Sequence, residues 1–208
     1  MNEKSFNKYN ELIQNAIKEL IKDFCMNPFI FVYEADLQSH LYVKLFKKLK
    51  VIDNPVKIYN GIEGRTKLLH TEVHIDRQYF DIAIWDNESD EFHTSEYKSK
   101  PVSIAVEIKY DFKTSFRKGN RRGIDDIKKI ITYFHGKNNC KGYALWFIAG
   151  LKQFEKLQQI SADLNKECFI GARRLVNSYL VSAGVEDETG KFETHLWLNG
   201  NHYNGRPI

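Results

Sequence analysis

A chain of 208 residues supports one domain with a hydrophobic core and is short for two domains. Its apolar residues never form the run of about eighteen that a membrane-spanning helix requires, and its polar N-terminal segment lacks the pattern of a signal peptide. The three cysteines are scattered and form no CxxC pair, which argues against a disulfide framework or a cysteine-based structural zinc site and predicts a cytoplasmic protein.

Two amphipathic helices are predicted in the first quarter of the chain. Apolar side chains recur at helical spacing over residues 5–26, and an Asn–Pro pair ends this helix. A second helix is predicted over residues 34–50, where leucines stand at every fourth position. Residues 51–66 contain Pro, Gly, Asn and Asp, and they predict a connecting loop.

Strands then alternate with helices. Strands are predicted at residues 67–75, 79–85, 102–110 and 142–150, and helices at residues 124–135 and 152–167. The first two strands are expected to form a hairpin, and a second hairpin is expected around a polar turn at residues 187–190, whereas residues 168–180 fit a helix or a strand. The order α-α-β-β-β-α-β-α-β predicts an α/β fold with helices packed on a mixed central sheet.

Two of the predicted strands carry charged residues inside apolar runs. The run YFDIAIW contains Asp81, and the run SIAVEIKY contains Glu107 and Lys109. Because side chains alternate along a strand, Glu107 and Lys109 share the face that carries the small residues of their strand. The same alternation predicts Phe80 and Ile82 on one face of the preceding strand and Asp81 on the other.

This placement of charge indicates a cation site. An ionised carboxylate in a half-buried strand is costly unless it is paired or bound to a cation, and two neighbouring carboxylates raise each other's pKa. A hard divalent metal such as Mg²⁺ would neutralise Asp81 and Glu107 while keeping several of its water ligands. Lys109 would then lie beside the metal, where it can stabilise developing negative charge or position a water molecule.

The second helix offers a third carboxylate. Glu34 precedes Leu37 by three residues and Leu41 by seven, so it lies on the same face of the helix as these leucines. Asp36 lies off that face and is expected to point to solvent. An acidic residue at a helix start also interacts favourably with the helix dipole, but the company of Asp81 and Glu107 favours a place for Glu34 in the site.

These residues resemble the motif of the PD-(D/E)xK nuclease superfamily, which has the restriction-endonuclease-like fold. The aspartate of the FD pair is Asp81, and the EIK triplet supplies Glu107, Ile108 and Lys109. The resemblance covers roughly residues 30–150 and departs from the motif at Phe80, where proline is usual. It implies an αβββαβ core with a mixed central sheet flanked by helices, an extra N-terminal helix and a C-terminal extension.

The resemblance implies one nuclease-like domain over residues 1–208. Its parts would be an N-terminal helix at residues 1–28, a catalytic core at residues 30–150, and a C-terminal helix and hairpin at residues 151–208.

The implied activity is metal-dependent hydrolysis of phosphodiesters, with DNA as the substrate. Asp81, Glu107 and the backbone carbonyl of Ile108 would hold Mg²⁺ or Mn²⁺, Glu34 could assist with a second ion, and Lys109 would orient or help to deprotonate the attacking water. The expected partner is therefore nucleic acid, without a membrane, and the protein could form a homodimer.

Positive charge is concentrated directly after the EIK strand. Residues 109–141 contain ten lysines and arginines against three acidic residues, although the net charge of the whole chain is only +4. Such a segment is typical of phosphate contacts, and a solvated surface loop would explain it equally well. The predicted contacts to nucleic acid are Arg117, Lys118, Arg121, Arg122 and, on the following helix beside Asp126, Lys129.

Three alternatives stay open at this point. His70, Glu72 and His74 share one face of a strand and could bind zinc, although their spacing matches no familiar zinc signature; Glu72 could instead line the nuclease cleft. A nuclease-like fold can also serve as a non-catalytic module that binds nucleic acid or a protein. The same chemistry could act on RNA, because a fold does not determine which substrate is cut.

Overall fold

The structure is a computed structural model that describes most of the chain. The described residues are 1–49, 54–57, 63–66, 68–75, 78–86, 101–112, 120–150, 154–170, 175–186 and 192–203. In these ranges the helices are α1 (Glu3–Met26), α2 (Glu34–Leu49), α3 (Asn120–Phe134) and α4 (Phe154–Ile170), with a short 3₁₀ helix at Pro28–Ile30. The strands are β1 (Asn54–Lys57), β2 (Glu63–Thr66), β3 (Leu69–Ile75), β4 (Gln78–Trp85), β5 (Val102–Phe112), β6 (Lys141–Ala149), β7 (Val176–Glu186), β8 (Phe192–Leu198) and β9 (Asn201–Tyr203).

A mixed sheet of seven strands forms the centre of the fold. Its spatial order follows the chain from β3 to β9. The three central strands β5, β6 and β7 are parallel, and antiparallel pairs extend the sheet on both sides. Strands β1 and β2 pair antiparallel in a separate two-stranded sheet. Helices connect the parallel strands, as parallel pairing requires.

Helices cover both faces of the sheet. The face against α1 and α2 is closed by apolar side chains that include Ile104, Val106 and Ile108 of β5. The face against α3 and α4 is closed by a second set that includes Ala105 and Trp146. Burial on both sides explains why β5 and β6 read as almost continuous apolar runs.

The predicted fold class is confirmed at the level of an α/β protein with a mixed central sheet between helices. The predicted loop at residues 51–66 is wrong, because β1 and β2 lie within it. The predicted strand at residues 102–110 and the predicted helix at residues 124–135 are too short, since β5 continues to Phe112 and α3 begins at Asn120. Among the described residues, no helix is long and apolar enough to cross a membrane.

The strict alternation predicted for β4 fails at Asp81. Ile82 belongs to the layer against α1 and α2, but Phe80 belongs to the opposite layer, where its ring meets that of Tyr133 with centroids 5.1 Å apart. On the neighbouring strand, Glu72 has a left-handed backbone conformation with φ of 52°. The alternation of side chains between the two faces of the sheet is therefore interrupted at Glu72 in β3 and at Asp81 in β4. We call this the break in alternation.

Gly142 sets how closely α3 approaches the sheet. A Cβ atom at this position of β6 would overlap Cγ2 of Ile130 on α3 and lie 3.2 Å from its Cβ. Helix α3 carries Asp126 and Lys129, so this contact also determines how near these two side chains come to β5.

Gly142→Ala should therefore destabilise the protein by about 1–3 kcal/mol, which is the usual cost of overpacking a core. Unfolding in urea would measure this change. In a double-mutant cycle, Ile130→Ala removes the overlapping methyl group and should make the glycine substitution nearly neutral. Equal costs of Gly142→Ala in both backgrounds would contradict the close packing described.

Candidate active site

The backbone pairing between β4 and β5 ends where the charged residues lie. Its register runs from Trp85 to Ile82 opposite Val106, and Asp81 follows next, level with Glu107. Instead of continuing the backbone pairing, Asp81 accepts a hydrogen bond at Oδ2 from the Ile108 N–H at 2.6 Å. The carboxylate thus bridges the two strands and is held at the position of Glu107 and Ile108.

The start of α2 brings Glu34 to the same place. Its Oε1 accepts a hydrogen bond from Lys109 Nζ at 3.2 Å, and its Oε2 accepts one from the Tyr110 N–H at 3.3 Å. Lys109 Nζ also lies 3.2 Å from the carbonyl oxygen of Ile108. Glu34 is therefore fixed by both the side chain and the backbone of β5.

Helix α3 approaches the site from the other face of the sheet. Lys129 Nζ lies 2.7 Å from Glu107 Oε2 and 3.6 Å from Asp126 Oδ1, while Lys109 Nζ lies 3.7 Å from Asp126 Oδ2. The result is a cluster of four carboxylates, Glu34, Asp81, Glu107 and Asp126, that surrounds two ammonium groups. We refer to these six residues as the acid–lysine cluster.

Two oxygen atoms of the cluster are buried without a hydrogen-bond partner, namely Glu107 Oε1 and Asp126 Oδ2. The side chain of Glu107 is only 2% exposed. Both residues line a small cavity together with Gly123, Ala144 and Trp146 among others, and its volume has room for about one water molecule. Buried carboxylate oxygens are normally satisfied. Asp126 Oδ2 has an ion pair with Lys109 at 3.7 Å, whereas Glu107 Oε1 is an acceptor that the described side chains leave without a hydrogen bond.

Burial dominates the electrostatics of the acidic residues. Desolvation raises the pKa of Asp81 to about 6, against the hydrogen bond from Ile108 and the positive charge of Lys109. Desolvation and then the charge of Asp81 raise the pKa of Glu107 well above its usual range, and Lys129 opposes them. The pKa of Asp126 is also raised by burial, although Lys109 and Lys129 lower it.

Lys109 responds in the opposite direction. Burial lowers its pKa, but Asp126, Glu34 and the other carboxylates outweigh burial and raise the pKa above its ordinary value. The side chain therefore stays an ammonium group at neutral pH, and it can donate hydrogen bonds or stabilise negative charge. It is not poised to accept a proton.

The structure places the predicted site residues unequally. Glu34, Asp81, Glu107 and Lys109 converge as described above. Lys129 was predicted to contact nucleic acid, but its ammonium group lies inside the acid–lysine cluster. Arg121 and Arg122 lie in the first turn of α3, whereas Arg117 and Lys118 fall outside the described residues.

Gln38 belongs to the site and was missed in the sequence. Its Nε2 donates to the backbone oxygen of Asp81 at 2.8 Å and to Oε1 of Glu72 at 2.7 Å. It thereby ties α2 to both β3 and β4 at the level of the break in alternation. Gln38 stands four residues after Glu34, so both lie on one face of the helix. This spacing is the sequence pattern that could have indicated Gln38.

Asp111 holds a tryptophan that lines the site. It is buried, and its Oδ2 accepts a hydrogen bond from Trp146 Nε1 at 2.7 Å. Trp146 pairs with Lys109 across β5 and β6 and lines the cavity beside Glu107. The spacing of Glu107, Lys109 and Asp111 at alternate positions of β5 was the sequence signal for this third residue.

The three residues that could bind zinc, His70, Glu72 and His74, each contact a different partner. His70 stacks on Trp85 with ring centroids 3.9 Å apart, and His74 lies beside Tyr79 at 5.1 Å. Glu72 accepts the hydrogen bond from Gln38. Glu72 is therefore connected to the acid–lysine cluster, while the two histidines contribute to aromatic packing.

The donors of the acid–lysine cluster suit a hard divalent cation. In the described ranges, no three His, Cys, Asp or Glu side chains are arranged to hold one metal ion as they stand, because two ammonium groups lie among the carboxylates of the cluster. However, Asp81, Glu107 and the Ile108 carbonyl provide the oxygen ligands that Mg²⁺ prefers, and Mg²⁺ needs only a few of them. The unpartnered Glu107 Oε1 fits this role, and Glu107 Oε2 becomes available if Lys129 moves aside.

The raised pKa of Asp81 predicts a dependence of stability on pH in the metal-free protein. Between the ordinary value of 3.8 and about 6, the folded state binds more protons than the unfolded state, so stability falls as pH rises. This carboxylate should contribute a loss on the order of 3 kcal/mol between about pH 4 and pH 6.

Urea unfolding in EDTA across this pH range would measure the loss. Asp81→Asn keeps an oxygen acceptor for the Ile108 N–H and should flatten the dependence. Asp125→Asn, at an exposed position of α3, is the matched control and should leave it unchanged. An identical pH profile for Asp81→Asn and the unmodified protein would contradict the assigned environment.

Comparison with known proteins adds no relative: no family model, no curated protein and no solved structure matches the chain.

Proposed function

We propose that the protein is a Mg²⁺- or Mn²⁺-dependent endonuclease of the PD-(D/E)xK type that hydrolyses DNA. The observation that carries this proposal is the convergence of Asp81, Glu107 and Lys109 at the point where β4 and β5 separate. Glu34 adds a fourth matching residue through its contacts to Lys109 and Tyr110. Two strands and one helix are needed to bring these residues together.

The element order supports the finer fold assignment. The series α2, β3, β4, β5, α3 and β6 has the αβββαβ order of the restriction-endonuclease-like core. In that series β3, β4 and β5 are antiparallel neighbours, and β6 returns parallel to β5. The N-terminal helix α1, the β1–β2 pair between α2 and β3, and the segment after β6 are additions to the proposed core.

Asp81, Glu107 and the carbonyl of Ile108 would hold the cation, and Glu34 could assist. When bound, the cation would polarise the scissile phosphate and stabilise charge on the leaving oxygen. The hydrogen bond from the Ile108 N–H orients the Asp81 carboxylate in advance. Such preorganisation matters because misplaced ligands lower the rate steeply.

Lys109 would act as a fixed hydrogen-bond donor. Its ammonium group is held by Glu34 and approaches Asp126, and its raised pKa keeps it protonated. It can therefore orient the attacking water through the water's oxygen and stabilise the negative charge that develops on phosphate. Of the two roles predicted for this lysine, orientation of the water is favoured over its deprotonation.

The test is cleavage of plasmid DNA and of single-stranded DNA and RNA with Mg²⁺, Mn²⁺ or EDTA. We expect cleavage with either metal and none in EDTA. Asp81→Ala should lose this activity, since it removes a cation ligand and the bridge to Ile108. Activity that persists in EDTA, or unchanged in Asp81→Ala, would overturn the proposal. Cleavage confined to RNA would keep the chemistry and replace the substrate.

One observation favours a non-catalytic alternative. The ion pair between Lys129 and Glu107 at 2.7 Å places an ammonium group where a cation ligand is expected to be available. A protein that retains this pair permanently would bind nucleic acid or a protein without cutting. Binding of DNA that weakens with salt, with no cleavage in any metal or substrate, would establish this alternative.

A further inference from the structure

Exposed apolar side chains concentrate at one corner of the fold. Residues 26–33 contain no charged residue, and five of their side chains are strongly exposed: Met26, Phe29, Ile30, Val32 and Tyr33. Phe112 at the end of β5 is also exposed. Together these six form what we call the apolar rim. Only three other large hydrophobic residues of the described chain are comparably exposed: Val43, Tyr79 and Tyr203.

The apolar rim is held in a defined conformation. Phe31, in the middle of the segment, is buried and packs on Phe24 and His40 with ring centroids 5.9 Å and 5.1 Å away. The N–H groups of Val32 and Tyr33 both donate to Asp36 Oδ2, at 2.8 Å and 2.9 Å. The expectation that Asp36 simply points to solvent is therefore incomplete, because its carboxylate fixes this turn. Exposed side chains on an ordered backbone are suited to binding, since little order must be imposed.

The apolar rim is continuous with the acid–lysine cluster. Tyr33, which is 70% exposed, directly precedes Glu34, whose carboxylate contacts Lys109 Nζ. On β5, Tyr110 donates its N–H to Glu34 and its ring meets Phe24 at 6.5 Å. Phe112 follows Tyr110 by two residues and so lies on the same face of the strand. The apolar rim therefore adjoins the residue that contacts Lys109.

We propose that the apolar rim binds unpaired nucleobases, so that the protein prefers single-stranded nucleic acid or unpaired segments within a duplex. This inference rests on the proposed function and specifies its substrate. Aromatic side chains stack on the faces of bases without regard to sequence, and these faces are accessible only where the bases are not stacked within a duplex. The uncharged segment 26–33 can contact the uncharged bases, while the phosphates of the same strand would lie at Lys109 and the cation.

The test compares the affinities of the full-length protein for single-stranded and duplex DNA of the same sequence. Fluorescence anisotropy in the Lys109→Met background with Mg²⁺ measures binding while cleavage is suppressed. We expect tighter binding of the single strand. We further expect Tyr33→Ser to weaken single-strand binding by roughly 5- to 100-fold, which is the usual effect of losing one stacked base, with little effect on the duplex.

Tyr203→Ser is the matched control. It removes an exposed tyrosine on β9, four strands away from β5 in the sheet, and should leave both affinities unchanged. Tyr33→Ser retains the backbone bond to Asp36, and circular dichroism melting would verify that it folds.

Other outcomes would overturn this inference in distinguishable ways. If the unmodified protein cleaves plasmid DNA but Tyr33→Ser leaves the ratio of the two affinities unchanged, the inference fails while the proposed function stands. If sedimentation shows that Tyr33→Ser converts a dimer to a monomer without changing that ratio, the apolar rim is a contact between two copies. If neither form of DNA is bound or cut, both proposals fail.

Discussion

Replacement of Lys109 by methionine should reduce metal-dependent cleavage of DNA by about 10²–10³-fold, the usual effect of removing one preorganised donor in an active site. Methionine keeps the length of the side chain but removes the ammonium group that contacts Glu34 and Asp126. Initial rates of plasmid nicking at saturating Mg²⁺ would measure the loss. The apparent affinity for DNA should change far less than the rate, because the proposed role of Lys109 belongs to the chemical step.

Lys128→Met is the matched control for this experiment. Lys128 lies on α3, its side chain is 58% exposed, and its ammonium group is 3.9 Å from Glu167. The control removes the same charge from the protein without entering the acid–lysine cluster, so it should retain nearly full activity. Equal losses in Lys109→Met and Lys128→Met would indicate a general effect of charge on DNA binding and would contradict the assigned role.

Replacement of Lys129 by methionine should destabilise the metal-free protein by roughly 3–5 kcal/mol at neutral pH. The substitution leaves Glu107 buried without its counter-ion, and removal of one partner of a buried ion pair has an effect of this size. Glu107 then loses the positive charge that opposes the rise of its pKa, and it is left either charged in an apolar environment or protonated without its hydrogen bond to Lys129. Urea unfolding in EDTA would measure the change in the free energy of unfolding.

Two further variants test this explanation. The double variant Lys129→Met/Glu107→Gln removes both charges, so it should recover most of the lost stability. Lys128→Met, the exposed neighbour, should change stability by less than about 1 kcal/mol. If the double variant is as unstable as Lys129→Met alone, the loss arises from packing of the lysine stem against Phe80, 5.6 Å from its ammonium group, and not from Glu107.

Added Mg²⁺ should distinguish the two roles of this lysine. A cation that binds only the folded state stabilises it by mass action. If Lys129 occupies the place that the cation needs at Glu107, Lys129→Met should gain more stability from Mg²⁺ than the unmodified protein does. An equal gain in both would indicate that the cation and the lysine do not compete for Glu107.

Local sequence patterns predicted the elements that carry the site. The leucine repeat indicated α2 and the inward position of Glu34, and the apolar runs indicated β4, β5 and β6. Alternation along β5 correctly placed Glu107 and Lys109 on a face apart from Ile104 and Ile108, which lie in the layer against α1 and α2. These predictions depend only on the periodicity of a single helix or strand, and a single sequence contains that periodicity.

Other features depend on contacts between residues far apart in the chain. Phe80 and Ile82 lie on opposite faces of the sheet because the alternation of side chains is interrupted in both β3 and β4, at Glu72 and at Asp81. Lys129 was predicted to contact nucleic acid, but the close packing of α3 against Gly142 brings its ammonium group to Glu107. Short polar strands such as β1 and β2 lack an apolar pattern, so their pairing was not predicted.

The sequence by itself therefore determined which strands carry charge and which residue types are present to bind a cation. Only the tertiary structure decided which charges meet: Asp81 reaches the Ile108 N–H across a strand pair, and Lys129 reaches Glu107 from helix α3. The physical reason is that periodicity fixes the direction of a side chain relative to its own element. The distance between two such side chains is set by strand register and helix packing, and these depend on the whole core.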